Sequence, residues 1–216
     1  MSEFVVHGIP GSPFMRAVEV ALREKSAPYR VRAIAPGEHK SPEYTALHPF
    51  GRVPALEHGD FRLYETQAIL RYIDDVIPSP ALEPADARLA ARMNQIMGIN
   101  DWYFFPLVGR TIVFNRIVGP KLLNLPVNEA AIAAAVPEGR HCVVELERLL
   151  GEQPFLAGDQ LSLADVLLAP QLDFFAATPE GASLLAGTRL SKWLIRMNAR
   201  PSMIATPRPL PLQAAA

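Results

Sequence analysis

The early part of the chain switches between a two-residue and a three-to-four-residue rhythm of apolar positions. Phe4-Val5-Val6-His7 is a short β-prone run that stops at Gly8 and Pro10. From Phe14 to Lys25 the apolar positions fall at helical spacing, with Phe14, Val18, Ala21 and Leu22 on one face. Tyr29 to Ile34 alternates as a second strand. A loop from Ala35 to Lys40 leads into a short helical piece around Glu43 to Leu47. Val53 to Glu57 and Phe61 to Tyr64 are two more strands, joined by the turn His58-Gly59-Asp60. Ile69, Tyr72, Ile73 and Val76 then mark a helix over Glu65 to Ile77. The order is βαβαββα. Its βαβ unit requires a parallel strand pair and its hairpin adds antiparallel strands, so the expected sheet is mixed.

The pattern then changes. Pro78, Pro80 and Pro84 fall within seven residues, too dense for a helix or a central strand. Beyond them strand signals nearly vanish. Helices are expected at Ala85 to Phe105, Asn128 to Leu150 (with a kink near Pro137), Leu163 to Ala177 and Ser191 to Asn198. The expected organisation is an α/β domain over 1–78, a linker over 79–86, an all-α helical bundle over 87–206 and a Pro-rich tail over 207–216. Ser162-Leu163-Ala164-Asp165 reads as a capping box, with Leu161 able to staple onto Val166. That assigns these residues to folding.

Composition removes several function classes. The chain has 216 residues, is 50% hydrophobic and 20% charged, and carries 21 prolines, about twice the usual share. Such a chain can build a core and is not a disordered or low-complexity protein. A net charge of −1 with no long basic run leaves no footprint for nucleic acid or an anionic membrane. No apolar stretch approaches the ~18 residues of a membrane span. The first residues show no basic segment followed by a long apolar run, so no secretory signal is expected. A lone Cys142 cannot form an internal disulfide and favours a reducing compartment, the cytoplasm. On a predicted helix, it reads as a small buried hydrophobe.

Four places could carry chemistry. Gly11-Ser12-Pro13 opens the first helix, where Ser suits the N-cap and Pro the first turn. The hydroxyl could equally direct its hydrogen at an anion, which the helix N-terminus favours. No Gly-x-Ser-x-Gly elbow surrounds Ser12, so it does not read as a hydrolase nucleophile. At Gly51-Arg52-Val53-Pro54, a proline in a β-prone run points either to a strand start or to a cis Val53–Pro54 bond. Val53 keeps its own N–H and C=O in either case and could pair with an extended peptide. Glu65-Thr66, directly after a strand, could offer a hydroxyl and backbone N–H groups to a carboxylate and an acid to an ammonium. Gly37-Glu38-His39-Lys40 is either a solvated loop or a cationic clamp for a second carboxylate.

These pieces together resemble a known family. Gly8-x-Pro10-x-Ser12, Arg16-x-Val18, Gly37-Glu38-His39-Lys40, Pro49-Phe50-Gly51-Arg52-Val53-Pro54-Ala55-Leu56 and Glu65-Thr66-x-Ala68-Ile69 stand in the order and spacing of glutathione S-transferases. The resemblance is to the serine-type phi class and to theta-like bacterial members. It continues through Pro154 to Asp165 and Arg200-Pro201-Ser202, covering roughly residues 3 to 203. It implies a thioredoxin-like fold for the α/β domain and glutathione as co-substrate, with no metal. Ser12 would donate a hydrogen bond to the thiol sulfur, and Val53, placed by cis-Pro54, would pair with the cysteinyl backbone. Glu65 and Thr66 would hold the γ-glutamyl end. His39 and Lys40 would hold the glycyl carboxylate, with Arg52 adding charge beside them. Phe14, Met15, Trp102 and Phe105 are candidates for an apolar pocket that accepts a hydrophobic electrophile. The implied assembly is a homodimer, with the Phe50 loop as a contact. Non-catalytic ligand binding and glutathione-dependent peroxide reduction, isomerisation or dehalogenation are the alternatives on this fold. His48, Arg52 and Thr66-Gln67 depart from the family's usual Asn, Gln and Ser-Arg.

Overall fold

A computed structural model describes residues 3–35 and 37–208; Met1, Ser2, Pro36 and the tail from Pro209 onward lie outside the described residues. Four strands form one sheet in the order β2-β1-β3-β4: β1 (Phe4–Gly8), β2 (Tyr29–Ala33), β3 (Ala55–His58) and β4 (Phe61–Tyr64). β1 runs parallel to β2 and antiparallel to β3, and β3 pairs antiparallel with β4. The mixed βαβαββα arrangement expected from the apolar rhythm is therefore the one formed. α1 (Pro13–Glu24) makes the crossover between the parallel strands. The single helical turn α2 (Pro42–Thr45) precedes β3, and α3 (Thr66–Val76) follows β4.

The helical half begins at α4 (Ala87–Ile99), capped by the Asp86 carboxylate, which accepts from the N–H groups of Arg88 and Leu89. The helix expected to stop at Phe105 does not stop. Asn100–Val118 continues it in the wider π winding, through Pro106, into α5 (Gly119–Leu122). Pro106 lacks an N–H and would interrupt a regular α-helix, and the chain passes it in a segment that is not regularly α-helical. α6 (Glu129–Leu150) carries Pro137 within it and is capped by Asn128. α7 (Leu163–Ala176) is buried almost all round. α8 (Pro179–Leu185) and α10 (Pro201–Ile204) are short helices that periodicity did not mark. α9 (Arg189–Asn198) starts slightly earlier than its spacing suggests, because Thr188 supplies its cap.

One hydrophobic cluster runs through both halves, from Phe4 and Val6 in the sheet to Trp193 and Met203 near the end. α1 packs against α3 and α7. Buried polar contacts tie the same faces together. Arg16 of α1, almost wholly buried, donates to Asp173 (2.8 Å) and to the Thr206 carbonyl (2.6 Å). Lys25 reaches both Asp74 and the Pro80 carbonyl, while Asp74 also accepts from the N–H groups of Leu82 (2.8 Å) and Glu83 (2.9 Å). The proline-rich segment is thus pinned along α3.

Candidate functional site

The turn from β1 into α1 sets the first functional group. Gly11 takes φ 79°, which an L side chain seldom adopts, and the Ser12 N–H donates to the Ile9 carbonyl at 3.0 Å. Ser12 occupies the N-cap position with Pro13 behind it, yet its side chain makes no capping hydrogen bond. Of the two roles open to this hydroxyl, capping is not taken. Ser12 instead lines a cavity of about 400 Å³ at the helix N-terminus.

The facing wall is the loop before β3. The Val53–Pro54 bond is cis and β3 begins at Ala55, so the two readings of this proline are both realised. The Tyr44 hydroxyl donates to the Arg52 carbonyl at 2.8 Å and fixes this strand entry. Burial pushes that phenol up to about 12, so it remains a donor at neutral pH. Gly51 (φ 57°) is needed for closeness as well as conformation. A Cβ there would stand 2.9 Å from the His39 carbonyl, so only glycine lets the His39 loop lie against this one. His39 lines the cavity with Ser12, Arg52 and Val53, and its Nδ1 is buried without a partner.

A second, smaller cavity of about 160 Å³ shares Phe14, Arg52, Val53 and Phe105 with the first and adds Pro54, Glu65 and Thr66. Glu65 has φ 69° at the start of α3, an uncommon backbone state for a non-glycine residue of the kind that clusters at ligand sites. His48 closes the same cavity. Its ring packs 4.9 Å from that of Tyr64, and its buried Nδ1 has no partner. Burial holds its pKa below the usual imidazole value, against the pull of Glu65.

Most residues expected at the site therefore converge: Ser12, Phe14, His39, Arg52, Val53, Pro54, Glu65, Thr66 and Phe105 line one or both cavities. Phe14 and Phe105 meet edge to face at 4.6 Å, between the two. Three do not join them. Met15 is 0% exposed and belongs to the core, because one step along a helix turns a side chain by about 100° away from Phe14. Trp102 is 78% exposed, carried by the helical winding to the outer surface. Lys40 is exposed and lines neither cavity.

Several lining residues escaped sequence reasoning. Asp101 enters the smaller cavity, held by the amides of Gln67 (2.7 Å) and Asn100 (2.8 Å). Arg110, Val113, Phe114 and Val118 face the larger one from the π segment, and Gln171 and Phe174 from α7. Gln67, half of the Thr66-Gln67 departure, divides its amide between Asp101 and the Met97 carbonyl (3.1 Å). Among the described residues no group of three His, Cys, Asp or Glu side chains is placed to hold a metal. Cys142 is buried in α6 and its thiol is pushed up to about 11 by that burial, far from the reactive range.

The arrangement offers a hydroxyl donor at a helix N-terminus, an extended backbone ledge with a polar recess at one end, and a largely apolar cavity beside them. An extended peptide carrying a nucleophile opposite Ser12 fits that description, with an apolar partner next to it. Comparison with known proteins agrees. Residues 2–75 match the glutathione S-transferase N-terminal domain and residues 129–196 the glutathione S-transferase C-terminal domain. Glutathione S-transferase 3 of Zea mays is 32% identical, covering 98% of this chain and 96% of its own. Glutathione S-transferase F7 of Arabidopsis thaliana is 28% identical over 94% and 98%. Among solved structures, apo glutathione S-transferase III superposes with a TM-score of 0.86 at 32% identity, covering 97% of this chain and 99% of that one. Glutathione S-transferase I bound with lactoylglutathione gives 0.84 at 26% identity, over 95% and 98%.

Proposed function

Because the chain belongs to the glutathione S-transferase family, we propose that it joins the glutathione sulfur to hydrophobic electrophiles, with Ser12 as the thiol-activating group. A cysteine thiol titrates near ~8.5, so little of it is thiolate at neutral pH without help. The Ser12 hydroxyl donates its hydrogen to the sulfur, and the N-terminus of α1 favours the negative charge. Both lower the cost of the ionised form. Val53 pairs through its N–H and C=O with the cysteinyl backbone. Glu65, Thr66 and Asp101 receive the γ-glutamyl ammonium and carboxylate, and His39 and Arg52 the glycyl carboxylate. Lys40 contributes positive potential from outside the cavity. The electrophile sits against Phe14, Phe105 and Phe174, where proximity to the sulfur does the remaining work.

The observation that carries this reading is the release of the Ser12 hydroxyl from capping at the mouth of a cavity. The division into units 1–78 and 87–206 joined by 79–86 belongs to the same proposal. It is supported by the confinement of every described strand to the region before α3. The same proposal includes a two-fold homodimer, supported by the exposed Phe50, Trp102 and Tyr103, a cytoplasmic location, supported by the lone, unpaired Cys142, and detoxification as the role that conjugating hydrophobic electrophiles would serve. Among the described residues no helix is long and apolar enough to cross a membrane.

Calorimetric titration with glutathione tests the core of the proposal. Binding is expected in wild type and in Ser12→Ala, while conjugation of an aryl halide falls about 100-fold in the variant, the scale of one lost oxyanion donor. The apparent pKa of the bound thiol should rise with it. No heat at millimolar glutathione overturns the proposal, and undiminished Ser12→Ala activity removes Ser12 from it.

A further inference from the structure

The larger cavity contains a polar group that none of these steps uses. Gln171 stands on α7 with 3% of its surface exposed, on a wall shared with Val113, Phe114 and Phe174. Its Nε2 is buried and has no hydrogen-bond partner. A buried, unmade donor is destabilising, and native proteins leave few of them. Asp165 and Asp173, the other polar residues of α7, both accept hydrogen bonds; apart from Pro170 the remainder is Leu, Ala, Val and Phe, and a leucine at 171 would satisfy the same helix without an orphaned amide. The other donors at this cavity have different circumstances. Ser12, His39 and Arg52 face glutathione in the reading above. Arg110 is exposed and lies over the Phe105 ring at 5.4 Å, where its charge stays hydrated. Gln171 is left as a donor inside an otherwise apolar wall.

We propose that Gln171 determines acceptor specificity: its amide N–H receives the oxygen of the electrophile, which selects apolar conjugated carbonyl compounds, enones and enals, over halides of similar size. The inference rests on the transferase reading. In the step it favours, the thiolate sulfur forms a bond to the β-carbon and the C=C pair shifts to place charge on the carbonyl oxygen. The proton lost by the thiol returns through solvent to the α-carbon. No group leaves and no electrons are transferred to another reagent. A donor on the oxygen is stronger toward the charged enolate than toward the neutral carbonyl, so it acts on kcat as well as on binding.

The test compares benzylideneacetone, a conjugated enone, with benzyl chloride, which has no oxygen acceptor. In Gln171→Leu, kcat/KM for the enone should fall about tenfold or more while benzyl chloride changes less than about threefold. Gln171→Met, nearer in length and also without a donor, should behave alike and serves if the leucine variant does not fold. Equal losses for both substrates, or an unchanged enone rate, overturn the proposal. A second arm needs no turnover: binding of saturated benzylacetone against isopentylbenzene, its hydrocarbon counterpart. Wild type should prefer the ketone, and the variants should lose that preference; a wild type without it overturns the role of Gln171. If wild type binds the ketone preferentially but conjugates neither electrophile, the transferase reading fails and the donor role of Gln171 stands.

Discussion

Asp165 offers the sharpest test of how the helical half is held. Its carboxylate is fully buried and accepts from the N–H groups of Leu156 (2.9 Å) and Ser162 (2.9 Å), the Ser162 hydroxyl (2.7 Å) and the Trp193 indole (2.8 Å). Burial pushes its pKa up and these donors pull it back. In Asp165→Ala the Ser162 hydroxyl can rotate to a new acceptor, but the other donors are fixed by backbone or ring. Each buried donor left unmade costs about 1–3 kcal/mol, together about 3–9. Removing a buried carboxylate returns part of this, since desolvating one costs several kcal/mol. The net loss should be about 3–5 kcal/mol, lowering Tm by about 6–20 °C for a chain of this size. Asp165→Asn, which keeps one acceptor oxygen but turns a donor toward the others, should fall between. Urea midpoints and calorimetric Tm at fixed protein concentration read the effect. An alanine variant within about 1 kcal/mol of wild type refutes the claim that this carboxylate joins the loop at Leu156, α7 and α9.

Two other outcomes follow from the same structure. His7 and His48 are both held below the ordinary imidazole value by burial. A folded state that binds protons less readily than the unfolded chain loses stability as pH falls below ~6.5. The urea midpoint should therefore drop between about pH 7.5 and 5.5, and drop less in His48→Asn; parallel slopes in the two proteins would contradict the assignment. Phe50 is 69% exposed, and Phe50→Ala should shift sedimentation from dimer toward monomer at micromolar concentration. A wild type that already sediments as a monomer refutes the proposed pairing.

The parts of the site legible in the sequence were those with a local irregularity. A proline in a β-prone run, a Gly-Ser-Pro before a helix and a Glu-Thr straight after a strand each marked a residue that now lines a cavity. The sheet was legible for a related reason: its strands are short, alternating and close in sequence. What stayed hidden depends on distant elements meeting. Gln171 and Phe174 form a wall only because α7 folds over the start of α1. Arg110, Val113 and Phe114 required a helix to run past Pro106, where the residue itself argues for an ending. Met15 and Trp102 failed differently. Each stands close in sequence to a true lining residue, and helical rotation carries near neighbours to different faces.

The burial of α1 has a consequence for how the molecule can be divided. One flank of this helix completes the sheet's core through Val18 and Leu22; the other presents Arg16 to Asp173 and the Thr206 carbonyl. A fragment severed after the prolines would leave that guanidinium without its acid, facing water across a strip of bare hydrocarbon. The helix whose first turn bears Ser12 is also the keystone between the two halves. Duplication, truncation or domain grafting at the linker would therefore disturb the reactive hydroxyl before it disturbed the strands. The two halves are separable in topology but not in mechanics.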